Sequence, residues 1–135
     1  MALDVGDARI GIALSDPLGI TANPLEVYRR RKRNEDISYL AALASKHGAE
    51  LIVVGLPVHL DGTEGERAIL TQAFAEELKK ATDIAIDFED ESLTTVEAEE
   101  ALIAEGVRRE ERKKIIDKVA AAIILRSYLN REGGK

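Results

Sequence analysis

The sequence has no cysteine and no tryptophan, and it contains only two phenylalanines and three tyrosines. The absence of cysteine excludes disulfide frameworks, thiolate zinc sites and thiol catalysis. With so few aromatic side chains, the core must be built from isoleucine, leucine, valine and alanine. A length of 135 residues is typical of one domain, so residues 1–135 are predicted to form a single domain with its own core.

Long apolar runs and an excess of basic charge are also missing. No run is long enough to span a bilayer, and the first residues lack the basic-then-apolar pattern of a secretory signal. These absences predict a cytoplasmic protein with no membrane partner. The net charge of −6 argues against a surface that coats nucleic acid throughout, although a local basic patch can still bind phosphate.

Hydrophobic periodicity predicts nine elements along the chain. Strands are predicted at 2–5, 10–15, 20–28, 51–57 and 84–91. Helices are predicted at 35–47, from a cap at 63 to about 81, from a cap at 94 to 106, and over about 110–130. Because hairpin-linked strands come first and strand–helix units follow, we expect an α/β fold. Its five-stranded mixed sheet has three antiparallel strands, then parallel ones, and helices on both faces.

Several of these boundaries depend on single residues. Asn34 is predicted to cap the first helix and Gly48 to end it, while capping boxes at 63–66 and 94–97 begin the next two. Pro24 lacks a backbone donor, so it predicts an edge strand or a bulge.

Asp4 is a carboxylate in the first strand, which this strand order places near the centre of the sheet. A buried charge is costly unless something pairs with it. One interpretation is a turn aspartate that accepts hydrogen bonds from the backbone of Gly6 or Asp7. The other is a functional ligand.

The segment "DFEDES", residues 87–92, holds four acids in five residues at a strand's carboxyl end. Strand alternation puts Asp87, Glu89 and Glu91 on one face, opposite Ile84, Ile86 and Phe88. Ligands gather beyond the carboxyl ends of parallel strands, and a cation there would relieve the repulsion. The alternative is a solvated acidic strand end beside a helix N-terminus. Alternation alone does not choose among Glu89, Asp90 and Glu91.

Asp117 lies in "KKIIDKVAAAIILRSYL", where helical spacing puts it in one stripe with Ala120, Ala121, Ile124 and Tyr128. A carboxylate on the apolar side of a helix needs a partner. The alternative is an aspartate at the edge of the stripe that is hydrogen-bonded to the cap of a neighbouring helix.

Asp4, the acidic segment 87–92 and Asp117 are expected to converge at one end of the sheet. Three carboxylates there favour Mg²⁺ or Mn²⁺, and two such ions can bind the attacking and leaving oxygens of a phosphoryl displacement.

Four segments, "LDVGDARIGIALSD", "VVGLPVHLDGTEG", "DESLTTVEAE" and "IDKVAAAIILRSYL", together closely resemble the YqgF family, also called RuvX. The resemblance covers nearly the whole chain. It implies an RNase H-like fold and a bacterial, cytoplasmic, metal-dependent nuclease that trims the 5′ end of the 16S ribosomal RNA precursor. It also implies that Asp4, Glu91 and Asp117 are the catalytic residues and metal ligands.

The chain departs from the family pattern at two points. Ser92 stands where the family usually has an arginine, and a serine cannot make a bidentate phosphate contact. Asp4 follows only three residues, where the family usually has a few more, which predicts a short first strand or a start that lies further upstream.

Substrate contacts are predicted from glycines and basic residues. Glycines allow a phosphate to approach the backbone closely, and basic side chains bind it by counterion release. The competing interpretations are ordinary turn glycines and a solvated basic loop. The predicted substrate-binding residues are Gly6, Arg9, Gly55, the "RRRKR" run Arg29, Arg30, Arg31, Lys32 and Arg33, and Lys114.

The partner is therefore expected to be nucleic acid, either a ribosomal RNA precursor or ribosomal particle, or branched DNA. A monomer or a homodimer is expected, since symmetric cutting of a junction needs two copies. A Holliday junction resolvase and a non-catalytic RNA-binding module for ribosome assembly are the alternative functions. A phosphotransferase of the actin and sugar-kinase type is disfavoured, because one short domain cannot form its two-domain cleft.

Overall fold

The computed structural model describes residues 1–57, 65–90 and 105–133, apart from the side chains of Lys113, Lys114, Asp117 and Lys118. Five strands and three helices are described, in the order β1 Ala2–Val5, β2 Arg9–Ser15, β3 Ala22–Arg29, α1 Arg33–Lys46, β4 Leu51–Leu56, α2 Glu66–Ala81, β5 Ala85–Asp90 and α3 Arg109–Gly133. Within these ranges, no helix combines the length and apolar character needed to cross a membrane.

The strands form one sheet in the order β3-β2-β1-β4-β5. β1, β2 and β3 are antiparallel neighbours, while β4 lies parallel to both β1 and β5. This confirms the predicted five-stranded mixed sheet. β1 is the central strand because the hairpins extend the sheet on one side and the strand–helix units extend it on the other.

Strand β3 confirms both features that Pro24 predicted, an edge strand and a bulge. Pro24 pairs with Ala13 beside a register shift between Ile12 and Ala13, so the strand is an edge and also contains an irregularity. β3 begins at Ala22 and not at residue 20, because Asp16 Oδ1 accepts hydrogen bonds from the backbone of Ile20 (2.6 Å) and Thr21 (3.0 Å). That turn keeps both residues out of the ladder.

Two apolar cores lie on opposite faces of the sheet, so helices cover both faces as predicted. On one face, Leu40 of α1 and Phe74 of α2 pack in a cluster with Leu3, Ile12 and other strand residues. Ile84, Ile86 and Phe88 join this cluster, as alternation along β5 predicted. On the other face, α3 lies on the sheet through the predicted stripe, with Ala121 and Ile124 buried in a cluster that includes Ala2.

The ends of the helices differ from the capping predictions in two places. α1 begins at Arg33 with Lys32 at its N-cap, so Asn34 lies inside the helix and is not the cap. The buried carboxylate of Asp36 instead accepts the backbone N–H of Arg31 at 2.8 Å, which fixes the entry to the helix. Gly48 ends α1 with φ +66°, as predicted.

α2 is entered through an extended Gly65 at its N-cap, so the predicted cap at Thr63 is wrong. A capping residue at 63 would require a helix that begins immediately after it, and the observed helix begins at Glu66. The second capping box and the helix predicted from 94 to 106 lie outside the described residues, except for Glu105 and Gly106, the second of which has φ +79°.

Candidate catalytic edge and basic cluster

Asp4 lies on the α3 face of the central strand. Its neighbours Leu3 and Val5 belong to the core on the α1/α2 face, whereas Ala2 packs in the core beneath α3. Successive strand residues alternate between faces, so Asp4 shares the face of Ala2. The residue is only half-buried. Asp4 therefore combines a fixed backbone position at the carboxyl end of β1 with access from outside.

Glycines border Asp4 on both sides within the sheet. Asp4 pairs with Gly11 of β2, and the parallel register Leu3–Val54 continues to Gly55 as its neighbour on β4. Gly55 pairs in turn with Glu89 of β5. On the α3 face this row carries the carboxylates Asp4 and Glu89 with no side chain between them. A strand glycine of this kind often marks a close approach by a ligand or another backbone.

The carboxylates of β5 are tied to α3. Asp87 Oδ2 accepts a hydrogen bond from the Tyr128 hydroxyl at 2.9 Å. Glu89 is buried and accepts bonds from Ser127 Oγ at 2.7 Å and from Arg131 at 2.8 Å. The alternation predicted for this segment is thus confirmed for Asp87 and Glu89. Both acids hold β5 against α3, and Asp90 is exposed.

Tyr128 is the hub of this contact, which we call the β5–α3 clamp (Asp87, Glu89, Ser127, Tyr128, Arg131). Burial raises the pKa of the Tyr128 hydroxyl to about 12, and its hydrogen bond to the Asp87 carboxylate adds to this rise. The Arg131 guanidinium lies 5.2 Å from the centre of the Tyr128 ring, in position for a cation–π contact. The clamp fixes the strand that immediately precedes Glu91.

Glu91 and the side chain of Asp117 lie outside the described residues. The backbone of Asp117 belongs to α3, one turn before the buried Ala120 and Ala121. In the described part of the chain, no group of three or more histidine, aspartate or glutamate residues is arranged to hold a metal ion. Because two of the three predicted ligands fall outside that part, the three-carboxylate site stays a prediction. The hard oxygen donors of Asp4 and of the acidic strand end suit Mg²⁺ or Mn²⁺.

The turn between β1 and β2 is held by two arginines. Arg30 donates from Nη1 to the Gly6 carbonyl at 3.0 Å, and its Nε pairs with Asp36 at 3.0 Å. From the other side, Arg67 of α2 donates to the Val5 carbonyl at 2.9 Å and pairs with the Asp7 carboxylate. We call this arrangement the arginine clamp (Arg30, Asp36, Arg67 and residues 5–7). It fixes the three residues that directly follow Asp4.

Asp36 is the buried anchor of the arginine clamp, with an exposed fraction of 0%. Burial by itself raises the pKa of its carboxyl group. Hydrogen bonds from the Arg31 backbone, Arg30 and the Tyr28 hydroxyl outweigh that cost and hold the pKa below its usual value. Asp36 therefore stays ionised and paired at neutral pH.

The basic run is not the uniform solvated loop that the sequence suggested. Arg29 ends β3 opposite Arg9, Arg33 begins α1, and Arg30 is half-buried against the ring of Phe74 at 5.0 Å. Arg30 is therefore engaged in holding the turn. Arg29, Arg31, Lys32 and Arg33 are exposed, as is Arg9 across the strand from Arg29. The predicted substrate contact at Lys114 lies on a side chain outside the described residues.

Gly6 has a structural reason to be glycine. Its N–H donates to the Arg9 carbonyl at 2.8 Å, and a Cβ at this position would lie only 2.7 Å from that oxygen. The turn interpretation therefore accounts for Gly6 without a bound phosphate.

Arg67 of the arginine clamp and the α3 residues Ser127 and Arg131 of the β5–α3 clamp were not predicted from the sequence. One signal pointed to Arg67: a basic residue in the first turn of a helix opposes the macrodipole, so an arginine there needs an outside partner. Ser127 and Arg131 gave no comparable signal, because polar residues near the end of a surface helix are common.

A model of the family described as "RuvX: Holliday junction resolvase" matches residues 1–131. The chain belongs to the RuvX family. A relative named "Putative pre-16S rRNA nuclease" from Desulforamulus reducens is 49% identical over 130 residues, covering 96% of this chain and 95% of that protein. A relative with the same name from Halothermothrix orenii is 48% identical, covering 96% of this chain and 93% of that one.

Among solved structures, the fold is similar to that of T. thermophilus RuvC, whose structure was determined in complex with a Holliday junction substrate. The TM-score is 0.53 at 11% sequence identity, and the match covers 97% of this chain and 93% of that one. At this identity the likeness concerns the fold. This RuvX chain therefore has the RNase H-like fold that the family resemblance implied.

Proposed function

We propose that this RuvX protein is a divalent-metal-dependent nuclease that hydrolyses phosphodiester bonds of structured nucleic acid, with the 5′ end of the 16S ribosomal RNA precursor as its substrate. The observation that carries the proposal is the position of Asp4. It is a half-buried carboxylate at the carboxyl end of the central strand, bordered by Gly11 and Gly55. Carboxylate oxygens suit Mg²⁺ or Mn²⁺, and the names of the relatives agree with a nuclease.

Asp4, Glu91 and Asp117 are the proposed catalytic residues and metal ligands. When bound, Mg²⁺ or Mn²⁺ supplies Lewis acidity, which lowers the pKa of an attacking water and neutralises the leaving 3′ oxygen. The three carboxylates hold the cation and relieve their mutual repulsion by doing so. The arginine clamp fixes the turn that directly follows Asp4, and the β5–α3 clamp fixes β5, the strand that precedes Glu91 in the chain.

The test measures cleavage by the full chain of an RNA that carries the 5′ extension of the 16S precursor, and of a four-way DNA junction. Mg²⁺ or Mn²⁺ is supplied with and without a chelator. We expect metal-dependent cleavage of the RNA. Asp4→Asn and Asp117→Asn should each lower the rate by more than about 100-fold, because even outer-shell partners of metal ligands are worth roughly 10–100-fold.

Asp83→Asn is the matched control, since Asp83 is exposed at the amino end of β5, away from Asp4. It should cleave at the wild-type rate. A folded wild-type protein that cleaves neither substrate with either metal would contradict the proposal and favour a non-catalytic RNA-binding module. Full activity in Asp4→Asn would remove that residue from the site.

Branched DNA is the second candidate substrate, because the description of the family names a Holliday junction resolvase. Preferential cleavage of the junction over the RNA in the same experiment would support it. A resolvase that cuts symmetrically would act as a homodimer, whereas RNA trimming needs only a monomer. A cytoplasmic location and one RNase H-like domain over residues 1–135 belong to both versions of the proposal.

A further inference from the structure

A small cavity of about 90 Å³ lies next to the β1–β2 turn, between the first turns of α1 and α2. Its charged lining consists of Arg30, Arg33, Arg67 and Asp7. The lining therefore carries three arginines and one carboxylate, and Asp7 pairs with Arg67. The cavity is large enough for a phosphate group but not for a whole nucleotide, and its lining favours an anion.

The positive charge of this cluster is only partly balanced. Each guanidinium offers five N–H donors, and the arginine clamp uses two from Arg30 and two from Arg67. Two of these four contacts go to backbone carbonyls, which accept a hydrogen bond without cancelling a charge. The other two pair Arg30 with the buried Asp36 and Arg67 with Asp7. The Asp7 side chain is 87% exposed, so water screens its contribution. Arg33 adds a third positive charge from the first position of α1.

The two helix starts add to the same field. α1 begins at Arg33 and α2 at Glu66, and neither N-cap residue, Lys32 or Gly65, makes a side-chain capping bond. The amino ends of helices carry partial positive charge and unpaired N–H groups. The carboxylates of Glu35, Asp36 and Glu66 in these first turns offset part of that field, so the arginines supply most of the attraction.

We propose that the cavity binds one backbone phosphate of the nucleic-acid substrate, through Arg33 and the guanidinium donors of Arg67 and Arg30 that the arginine clamp does not use. The inference rests on the proposed function for the identity of the ligand. Residues 5–7 line the cavity and directly follow Asp4 in the chain. A phosphate held there fixes the position of the substrate backbone relative to the catalytic edge. Arg67 thereby gains a binding role that sequence analysis did not assign.

The decisive variant is Arg33→Gln, because Arg33 is exposed and takes no part in the arginine clamp. Lys46→Gln is the matched control, since it removes the same charge from the exposed last residue of the same helix. Binding of double-stranded RNA and of a four-way DNA junction is measured with chelator present, so that no cleavage occurs, at several salt concentrations.

We expect Arg33→Gln to weaken binding of both nucleic acids several-fold at low salt. The slope of log K against log salt should fall by about 1, as for the loss of one phosphate contact. Lys46→Gln should stay within about 2-fold of the wild type, because a charge far from the ligand is largely screened. Equal binding by the two variants would overturn the phosphate site. A loss confined to RNA would also overturn it, since it would indicate recognition of the ribose.

A titration with inorganic phosphate, followed by NMR of the isotope-labelled wild-type protein, provides the second measurement. Saturable shifts of the Gly6, Arg33 and Arg67 backbone amides support the site, and their absence up to millimolar phosphate contradicts it. These outcomes are separate from the nuclease proposal. A protein without cleavage activity can still show the Arg33 effect, and an active nuclease can lack it.

Discussion

Around the β1–β2 turn, arginine side chains donate to backbone carbonyls, whereas at the β5–α3 contact strand carboxylates accept bonds from helix side chains. The arginine clamp depends on one fully buried carboxylate, Asp36, and leaves a positive cavity at the surface. In the β5–α3 clamp the Glu89 carboxylate is paired with Arg131, which is the one cation among the clamp residues. The comparison teaches that two strand ends at one edge of a sheet can be fixed by opposite chemistry, with only one of them left suited to bind an anion.

The largest effect is expected from Arg30→Met. Removing Arg30 leaves Asp36 buried without its cationic partner, which should lower the free energy of unfolding by about 3 kcal/mol. Arg67→Met is the matched comparison, and it should cost about 1 kcal/mol or less because its carboxylate partner Asp7 is exposed. Urea unfolding with unchanged m-values measures both. Equal losses would mean that the burial of Asp36 does not set the strength of the arginine clamp.

An intermediate effect is expected from Ser127→Ala in the β5–α3 clamp. Glu89 is buried, so the loss of a hydrogen bond to its carboxylate should lower the free energy of unfolding by about 1.5 kcal/mol. Ser45→Ala in α1 makes the same change at an exposed helix position and corrects for helix propensity. If the two variants unfold at the same urea concentration, Ser127 does not support Glu89.

A smaller effect than that of Ser127→Ala is expected at neutral pH from Tyr128→Phe, at about 1 kcal/mol for one lost hydrogen bond. Its signature lies in the pH dependence. The pKa of Tyr128 is raised from 10.0 to about 12, so the stability from its neutral hydroxyl is fully present below pH 10 and is lost as the pH rises toward 12.

Between pH 10 and 12 the variant should therefore lose less stability than the wild type, because phenylalanine cannot ionise. Urea unfolding across this range provides the measurement. Tyr39→Phe is a useful companion, since the pKa of Tyr39 is also raised to about 12, mainly by its hydrogen bond to Glu26. An unchanged pH dependence in Tyr128→Phe would show that the hydroxyl is already exposed to solvent.

Elements with strong periodicity were predictable from the sequence. The continuous apolar run at 51–57 became β4, the alternation before residue 91 became the two faces of β5, and the stripe from Ala120 to Tyr128 became the buried side of α3. Burial on one face leaves a repeat of fixed spacing, as in β5 and α3, whereas burial on both faces leaves a continuous apolar run, as in β4. Hydrophobic patterning therefore predicted the sheet and its two layers of helices.

The two clamps were not predictable, because they join segments that are distant in the chain. Arg30 bonds Gly6 across 24 positions and Arg67 bonds Val5 across 62. No local spacing encodes such contacts. The capping errors at Asn34 and Thr63 have a related cause, since Asp36 and the extended Gly65 determine where the two helices begin. The meeting of Asp4, Glu91 and Asp117 remains a prediction from the family resemblance.

The outer strand β3 has a consequence for self-association. Pro24 offers no N–H, and the register shift beside it bends the strand, so its free edge is a poor template for a further strand. Two copies joined through β3 into one continuous sheet are therefore disfavoured. If a homodimer binds a four-way DNA junction, we expect its two copies to contact each other through another surface, for example through their helices.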